Sequence, residues 1–124
     1  MKVLVVDDNE VNREILAELF EMENCQVFTA NNGQEALELS ISMHFPLILM
    51  DIMMPVMDGI EATNKIREAQ MQSPDKSFIV AITAMSSDSF ASSYVEQGFD
   101  QYYPKPFNAD DIEYILREVP DAWI

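Results

Sequence analysis

The stretch Leu47-Ile48-Leu49-Met50-Asp51-Ile52-Met53-Met54-Pro55-Val56-Met57-Asp58-Gly59 decides the fold. Its first four residues are a short apolar run of strand length, although periodicity alone leaves a buried helix segment open. Pro55 and Gly59 stop regular structure. Asp51 therefore sits where a buried strand surfaces into a loop, and the chemistry of that acid is the question the rest of the chain must answer.

Strand and helix patterns alternate on both sides. Val3 to Val6 is a second buried-strand run, ending at Asp7-Asp8. From about Glu10 to Met22, Val11, Ile15, Leu16, Leu19 and Phe20 share one helical face. Gln26 to Ala30 is a less apolar strand, expected near a sheet edge. Asn32 and Glu35 have N-cap and N3 spacing for a helix to about Met43. Asp58 and Glu61 repeat that spacing for a third helix, Ile60 to Ala69. Gln70 to Ser77 reads as a polar loop. Phe78 to Ile82 is the fourth strand, followed by Thr83-Ala84. A fourth helix of modest propensity is expected to start in the Ser-rich stretch 86–93 and stop at Gly98. Phe99 to Tyr103 is the fifth strand; Pro104 and Pro106 bar its end from a central position, because each removes a ladder donor. Asn108 caps a fifth helix with Ile112, Ile115, Leu116 and Val119 on one face, and Pro120 ends it. Five strands alternating with five helices predict an α/β fold with a parallel sheet covered on both faces. The two more polar strands belong at the edges. The strand order is then 2-1-3-4-5, a flavodoxin-like doubly wound sheet, in which ligands bind beyond the carboxyl ends of the strands.

Composition narrows the function classes. The chain has 124 residues, suited to one domain over 1–124 without an effector domain, and a formal net charge of −15. Such acidity argues against direct nucleic-acid binding and against anionic lipid. A single cysteine, Cys25, rules out an internal disulfide and fits a reducing, cytoplasmic setting. No apolar run is long enough to span a membrane.

The expected rim carries Asp7, Asp8, Asp51, Thr83 and Lys105. Three carboxylates on one rim repel one another, and a divalent cation relieves this. Hard oxygen ligands and an open rim suit Mg²⁺. A carboxylate beside Mg²⁺ is a competent nucleophile toward phosphorus, with the metal and Lys105 neutralising phosphoryl oxygens. Taken singly the residues have plainer readings. Asp8 serves equally as a helix cap, and Asp58 is better read as a cap than as a ligand. His44 reads as an ordinary surface or partly buried histidine and Cys25 as a small apolar filler. Met54 and Met57 read as packing residues, and Tyr103 should face away from Tyr102 by strand alternation. Trp123 fits a tail, a linker or a packing anchor equally.

The motifs Val5-Val6-Asp7-Asp8-Asn9, Met50 to Gly59, Ile82-Thr83-Ala84 and Lys105-Pro106-Phe107, in this order, resemble the response-regulator receiver domains of two-component signalling. The second motif resembles receivers attached to hybrid sensor kinases. The resemblance implies that Asp51 is the phosphoacceptor. Asp8, Asp51 and the backbone carbonyl of Met53 would ligate Mg²⁺ directly, and Asp7 mostly through water. Lys105 would contact the phosphoryl group, Thr83 would move toward it, and Tyr102 would be the aromatic switch. The Lys105-Pro106 bond would be cis. The donor would be a histidine kinase or a histidine phosphotransfer protein. Readout by a downstream protein would fall on the fourth helix, fifth strand and fifth helix. Met53 and Met85 would flank the line of hydrolytic water and, being apolar, predict a long-lived phosphoryl group. The protein would catalyse only its own phosphorylation and slow dephosphorylation. Two rivals compete with this reading. A haloacid-dehalogenase-like phosphatase wants a second acid where Met53 stands. A phosphorylation-independent binding module on the same fold is disfavoured by the intact Asp8, Asp51, Thr83 and Lys105 set. Flavin binding is disfavoured because Asp7 and Asp8 would repel the FMN phosphate.

Overall fold

The computed structural model describes residues 1–83, 93–105 and 108–124. Five parallel strands form one sheet: β1 (Lys2–Val6), β2 (Gln26–Ala30), β3 (Leu47–Asp51), β4 (Phe78–Thr83) and β5 (Gln101–Pro104), in the order β2-β1-β3-β4-β5. The described α-helices are α1 (Glu10–Glu21), α2 (Gly33–Ser42), α3 (Gly59–Gln70) and α4 (Ala109–Glu118), with a short 3-10 turn at Asp121–Trp123. Most of the fourth predicted helix lies outside the described residues, as do Met85, Pro106 and Phe107; its described end, 93–98, is turn, closed by Gly98 at φ 98°. None of the described helices is long and apolar enough to cross a membrane.

The inner strands β1, β3 and β4 are almost wholly apolar because both faces of the sheet are covered there. Alternation sorts them. Leu4, Val6, Ile48, Met50, Ile79 and Ala81 pack with Ala36 of α2 and Ala62 and Ile66 of α3. Val3, Val5, Leu47, Leu49, Val80 and Ile82 pack on the other face with Leu16 and Phe20 of α1 and Ile112 and Ile115 of α4. The same alternation separates Tyr102 and Tyr103, as expected. Tyr102 packs on the first face, and Tyr103 lies on the second, donating its hydroxyl to Glu118 at 2.8 Å. Trp123, open to three readings from sequence, is a packing anchor: its ring lies 6.4 Å from that of Phe78.

Capping follows local chemistry. Asn32, Asp58 and Asn108 accept from the backbone N–H three residues on, satisfying donors that the first helical turn leaves free. At α1 the cap is Asn9, whose side chain accepts from the Asn12 N–H, so Asp8 is not spent on the helix. One expectation is sharpened and one is corrected. Val11 and Ile15 share the apolar stripe of α1 yet are exposed, because the stripe meets the core only from Leu16 onward. The fifth strand runs Gln101–Pro104 rather than Phe99 to Tyr103; an edge position tolerates Pro104 as its last residue, in register with Thr83.

Candidate functional site

Parallel register builds the site. Val6 is paired with Met50, so Asp7 and Asp51, each one residue further on, lie side by side at the carboxyl ends of β1 and β3. Asp51 pairs with Ile82, which places Thr83 one step beyond it on β4, and Thr83 pairs with Pro104, which delivers Lys105. The Lys105 N–H donates to the Thr83 carbonyl at 2.8 Å and fixes the start of its side chain. From there the ammonium reaches back over the sheet, donating to Asp7 Oδ2 at 2.9 Å and Asp51 Oδ2 at 3.3 Å. The nearer partner is the fully buried Asp7, whose other oxygen accepts from the Asn9 N–H at 2.9 Å.

Oxygens of Asp7, Asp8 and Asp51 lie within 4.8 Å of one another and could hold a metal ion. The three acids differ in environment. Asp7 is buried, Asp8 is exposed, and Asp51 is 6% exposed, its Oδ1 accepting from the Met53 N–H at 3.3 Å. Burial, and secondarily the Asp7 charge, push the Asp51 carboxyl up to about 6 against the pull of Lys105. Burial alone would lower the Lys105 ammonium; hydrogen bonds and charge from Asp7 and Asp51 outweigh it, so Lys105 rises and stays cationic. A carboxyl of this kind beside a fixed ammonium has the chemistry to act as a nucleophile.

The loop after Asp51 is held tightly. The Gly59 N–H donates to the Ile52 carbonyl at 2.9 Å, and a Cβ at Gly59 would meet the Asp51 carbonyl oxygen at 2.2 Å, so only glycine fits there. Between them Val56 takes φ 71°, a left-handed conformation unfavourable for a β-branched residue, and is 83% exposed. Met57 is buried and Met54 half-buried against the core, whereas Met53 is 68% exposed. Asp8, Ile52, Met53, Met54, Pro55 and Asp58 line an open cleft of about 500 Å³ beside the acids.

Thus Asp7, Asp8, Asp51, Lys105 and the Met53 backbone converge on one rim, and Thr83, buried, lies next to it on β4. Tyr102 lies on the neighbouring strand with its ring 4.9 Å from that of Tyr94. His44, by contrast, bonds the Lys76 carbonyl at 2.9 Å, at the far end of the sheet where β3 begins. Sequence reasoning missed Arg13, which donates to the Asp7 carbonyl at 2.8 Å and braces the acidic turn. Nothing in its local pattern distinguishes it from any cation on an acidic helix. It also missed Arg67, which donates to the carbonyls of Gly98 (2.9 Å) and Ser77 (2.7 Å) and to Asp100 Oδ2 (2.6 Å), joining α3 to the segments entering β4 and β5.

Residues 3–117 match the family model described as the response regulator receiver domain. Among curated proteins, the chain is 40% identical over 107 residues to hybrid signal transduction histidine kinase A of Dictyostelium discoideum, covering 85% of this chain and 5% of that one. It is 36% identical over 116 residues to the transcriptional regulatory protein SrrA of Staphylococcus aureus, covering 94% and 45%. The chain therefore spans less than half the length of these relatives. The chain is also similar to solved structures, two of which bear on its chemistry. The response regulator TrrA of Thermotoga maritima, in complex with Mg²⁺-BeF, has a TM-score of 0.82 and 32% identity, covering 96% of this chain and 98% of that one. The receiver domain of Ssk1 from Saccharomyces cerevisiae, crystallised with the histidine phosphotransfer protein Ypd1, has a TM-score of 0.87 and 31% identity, covering 96% and 88%.

Proposed function

Because the chain belongs to the response-regulator receiver family, a regulatory family of two-component signalling, we propose that Asp51 accepts a phosphoryl group from a phosphohistidine and that the resulting acyl phosphate switches the domain. The single observation that carries this reading is the Lys105 ammonium held between Asp7 and Asp51 at the strand ends, at 2.9 and 3.3 Å. It leaves Asp51 charged enough to attack and stands ready for the incoming oxygens. As the bond from phosphorus to Asp51 Oδ forms, the bond to the imidazole nitrogen breaks. Lys105 then shifts its hydrogen bonds from carboxylate to phosphoryl oxygen, and the Thr83 hydroxyl supplies a further donor.

Mg²⁺ fits the donor set, since Asp7, Asp8 and Asp51 offer hard oxygens within one ion's reach. We assign it to Asp8, Asp51 and the Met53 carbonyl, with Asp7 acting mostly through water, because both Asp7 oxygens already accept hydrogen bonds. When bound, the ion supplies positive charge to the phosphoryl oxygens and holds Asp51 as the carboxylate.

The donor is a histidine kinase or a histidine phosphotransfer protein, consistent with the Ssk1–Ypd1 pair. We assign its docking surface to the exposed apolar residues Val11 and Ile15, in the first half of α1, and Met53 and Val56, in the loop after β3. Exposed apolar residues grouped around a polar site mark interaction surfaces. Output runs through Thr83 and Tyr102 to the face formed by the fourth predicted helix, β5 and α4. We place the protein in the cytoplasm, as a switch that catalyses only its own phosphorylation and slow dephosphorylation.

The test is intact-mass analysis after incubation with acetyl phosphate and Mg²⁺. One phosphoryl adduct on the wild type and none on Asp51→Asn supports the assignment; the same adduct on both proteins, or on neither, rejects it.

A further inference from the structure

Met53 stands apart from its neighbouring methionines. Met50 and Met57 are buried and Met54 is half-buried, but Met53 is 68% exposed and lines the open cleft with Asp8. Its backbone N–H is bonded to Asp51 Oδ1 while Lys105 holds Oδ2. A group bonded to Asp51 therefore has Lys105 on one side and the backbone of residue 53 on the other, next to the open cleft that Met53 and Asp8 line. Among the described residues Met22 and Met71 are also exposed, but they cap the far ends of α1 and α3.

We propose that Met53 is an oxidation site, and that its conversion to the sulfoxide by a peroxide shortens the life of a phosphoryl group on Asp51. The proposal rests on the reading of Asp51 as the acceptor. The thioether is a weak acceptor that presents an apolar surface to incoming water. A peroxide transfers one oxygen to sulfur, giving the sulfoxide and releasing water from hydrogen peroxide. The sulfoxide oxygen is polar and accepts a hydrogen bond from water, which is thereby held beside the phosphorus. Hydrolysis then follows. The water oxygen bonds to phosphorus, the bond to Asp51 Oδ breaks, the carboxylate is regenerated, and the water protons leave with inorganic phosphate. The side chain that keeps water unorganised when reduced organises it when oxidised. Exposure makes Met53 reachable by the oxidant, and its backbone bond to Asp51 makes it consequential.

The test compares phosphoryl lifetimes before and after hydrogen peroxide. Wild-type protein is treated, and peptide mapping locates the added oxygen. Treated and untreated samples are charged with acetyl phosphate and Mg²⁺, the donor is removed, and loss of the adduct is followed by intact mass. One positioned water is worth about one hydrogen bond, so oxidised protein should lose the group roughly threefold to tenfold faster. Met53→Leu should show the same lifetime with and without peroxide, and Met53→Gln, whose amide oxygen imitates the sulfoxide, should be short-lived without peroxide. Equal wild-type lifetimes with Met53 fully oxidised overturn the proposal. So does equal acceleration in Met53→Leu, or oxidation confined to Met22 and Met71. Absence of any adduct on untreated wild type overturns the acceptor reading instead, and this proposal with it.

Discussion

Substituting Asp51 by asparagine should change how stability depends on pH, and the structure sets both sign and size. The Asp51 carboxyl is pushed up to about 6, from 3.8 in an unstructured chain, chiefly by burial and then by the Asp7 charge. Between those values the folded state binds more protons than the unfolded one, so stability is fully present below about pH 4 and is lost as pH rises toward and through 6. A shift of about two units corresponds to about 3 kcal/mol. Water at the rim screens part of this, and about 1–2 kcal/mol is the expected effect. The asparagine amide carries no charge, so this penalty is absent from the variant at every pH. In EDTA, the stability of Asp51→Asn relative to wild type should therefore rise by about 1–2 kcal/mol between about pH 4.5 and 7.5. The assay is urea unfolding followed by fluorescence of Trp123, the sole tryptophan, which packs against Phe78. The expected difference in midpoint approaches ~1 M urea at the upper pH. Groups that do not face Asp51 cancel in the difference. A difference that stays flat across this range, or falls with pH, would refute the reasoning.

Three further perturbations test other contacts. Lys105→Met leaves the buried Asp7 without its cation; in EDTA the unfolding free energy should fall by about 2–3 kcal/mol, and phosphorylation by acetyl phosphate should slow by roughly a hundredfold. Gly59→Ala drives a Cβ into the Asp51 carbonyl oxygen at 2.2 Å; urea unfolding should show a loss of about 3 kcal/mol, because the backbone of β3 has nowhere to move. Arg67→Met removes three hydrogen bonds from the Ser77, Gly98 and Asp100 segments and leaves Asp100 without its cation, costing about 3 kcal/mol; amide exchange should rise at Ile79, whose N–H also bonds Asp100 Oδ2.

Mg²⁺ should oppose the first of these effects. A cation held among Asp7, Asp8 and Asp51 favours the Asp51 carboxylate against both its burial and the Asp7 charge, so millimolar Mg²⁺ should stabilise wild type at about pH 7.5 and leave Asp51→Asn much less affected, as read by the same urea midpoints.

Much of this protein was legible in the chain alone. β1 and β3 are continuous apolar runs because helices cover both faces of the sheet, and their ends are marked by the acids that surface there. Asn32, Asp58 and Asn108 announce helix starts because an unpaired N–H needs a short polar acceptor three residues back. The polar character of β2 and β5 places them at the edges, and the strand order follows. Asp7, Asp8, Asp51, Thr83 and Lys105 then fall on one rim by topology alone. Helix periodicity, however, reports which residues share a face and not where along the helix the core begins. Val11 and Ile15 sit on the stripe of α1 and yet face solvent. Only the folded arrangement shows that Lys105 lies nearer Asp7 than Asp51, that Arg67 braces the distant segment entering β5, and that Asn9 rather than Asp8 caps α1. These are contacts between residues far apart in the chain, or choices between adjacent equals, and no local pattern encodes them. The strand ends decided that an acidic site would exist; the side-chain reach across the sheet decided how its charges are shared.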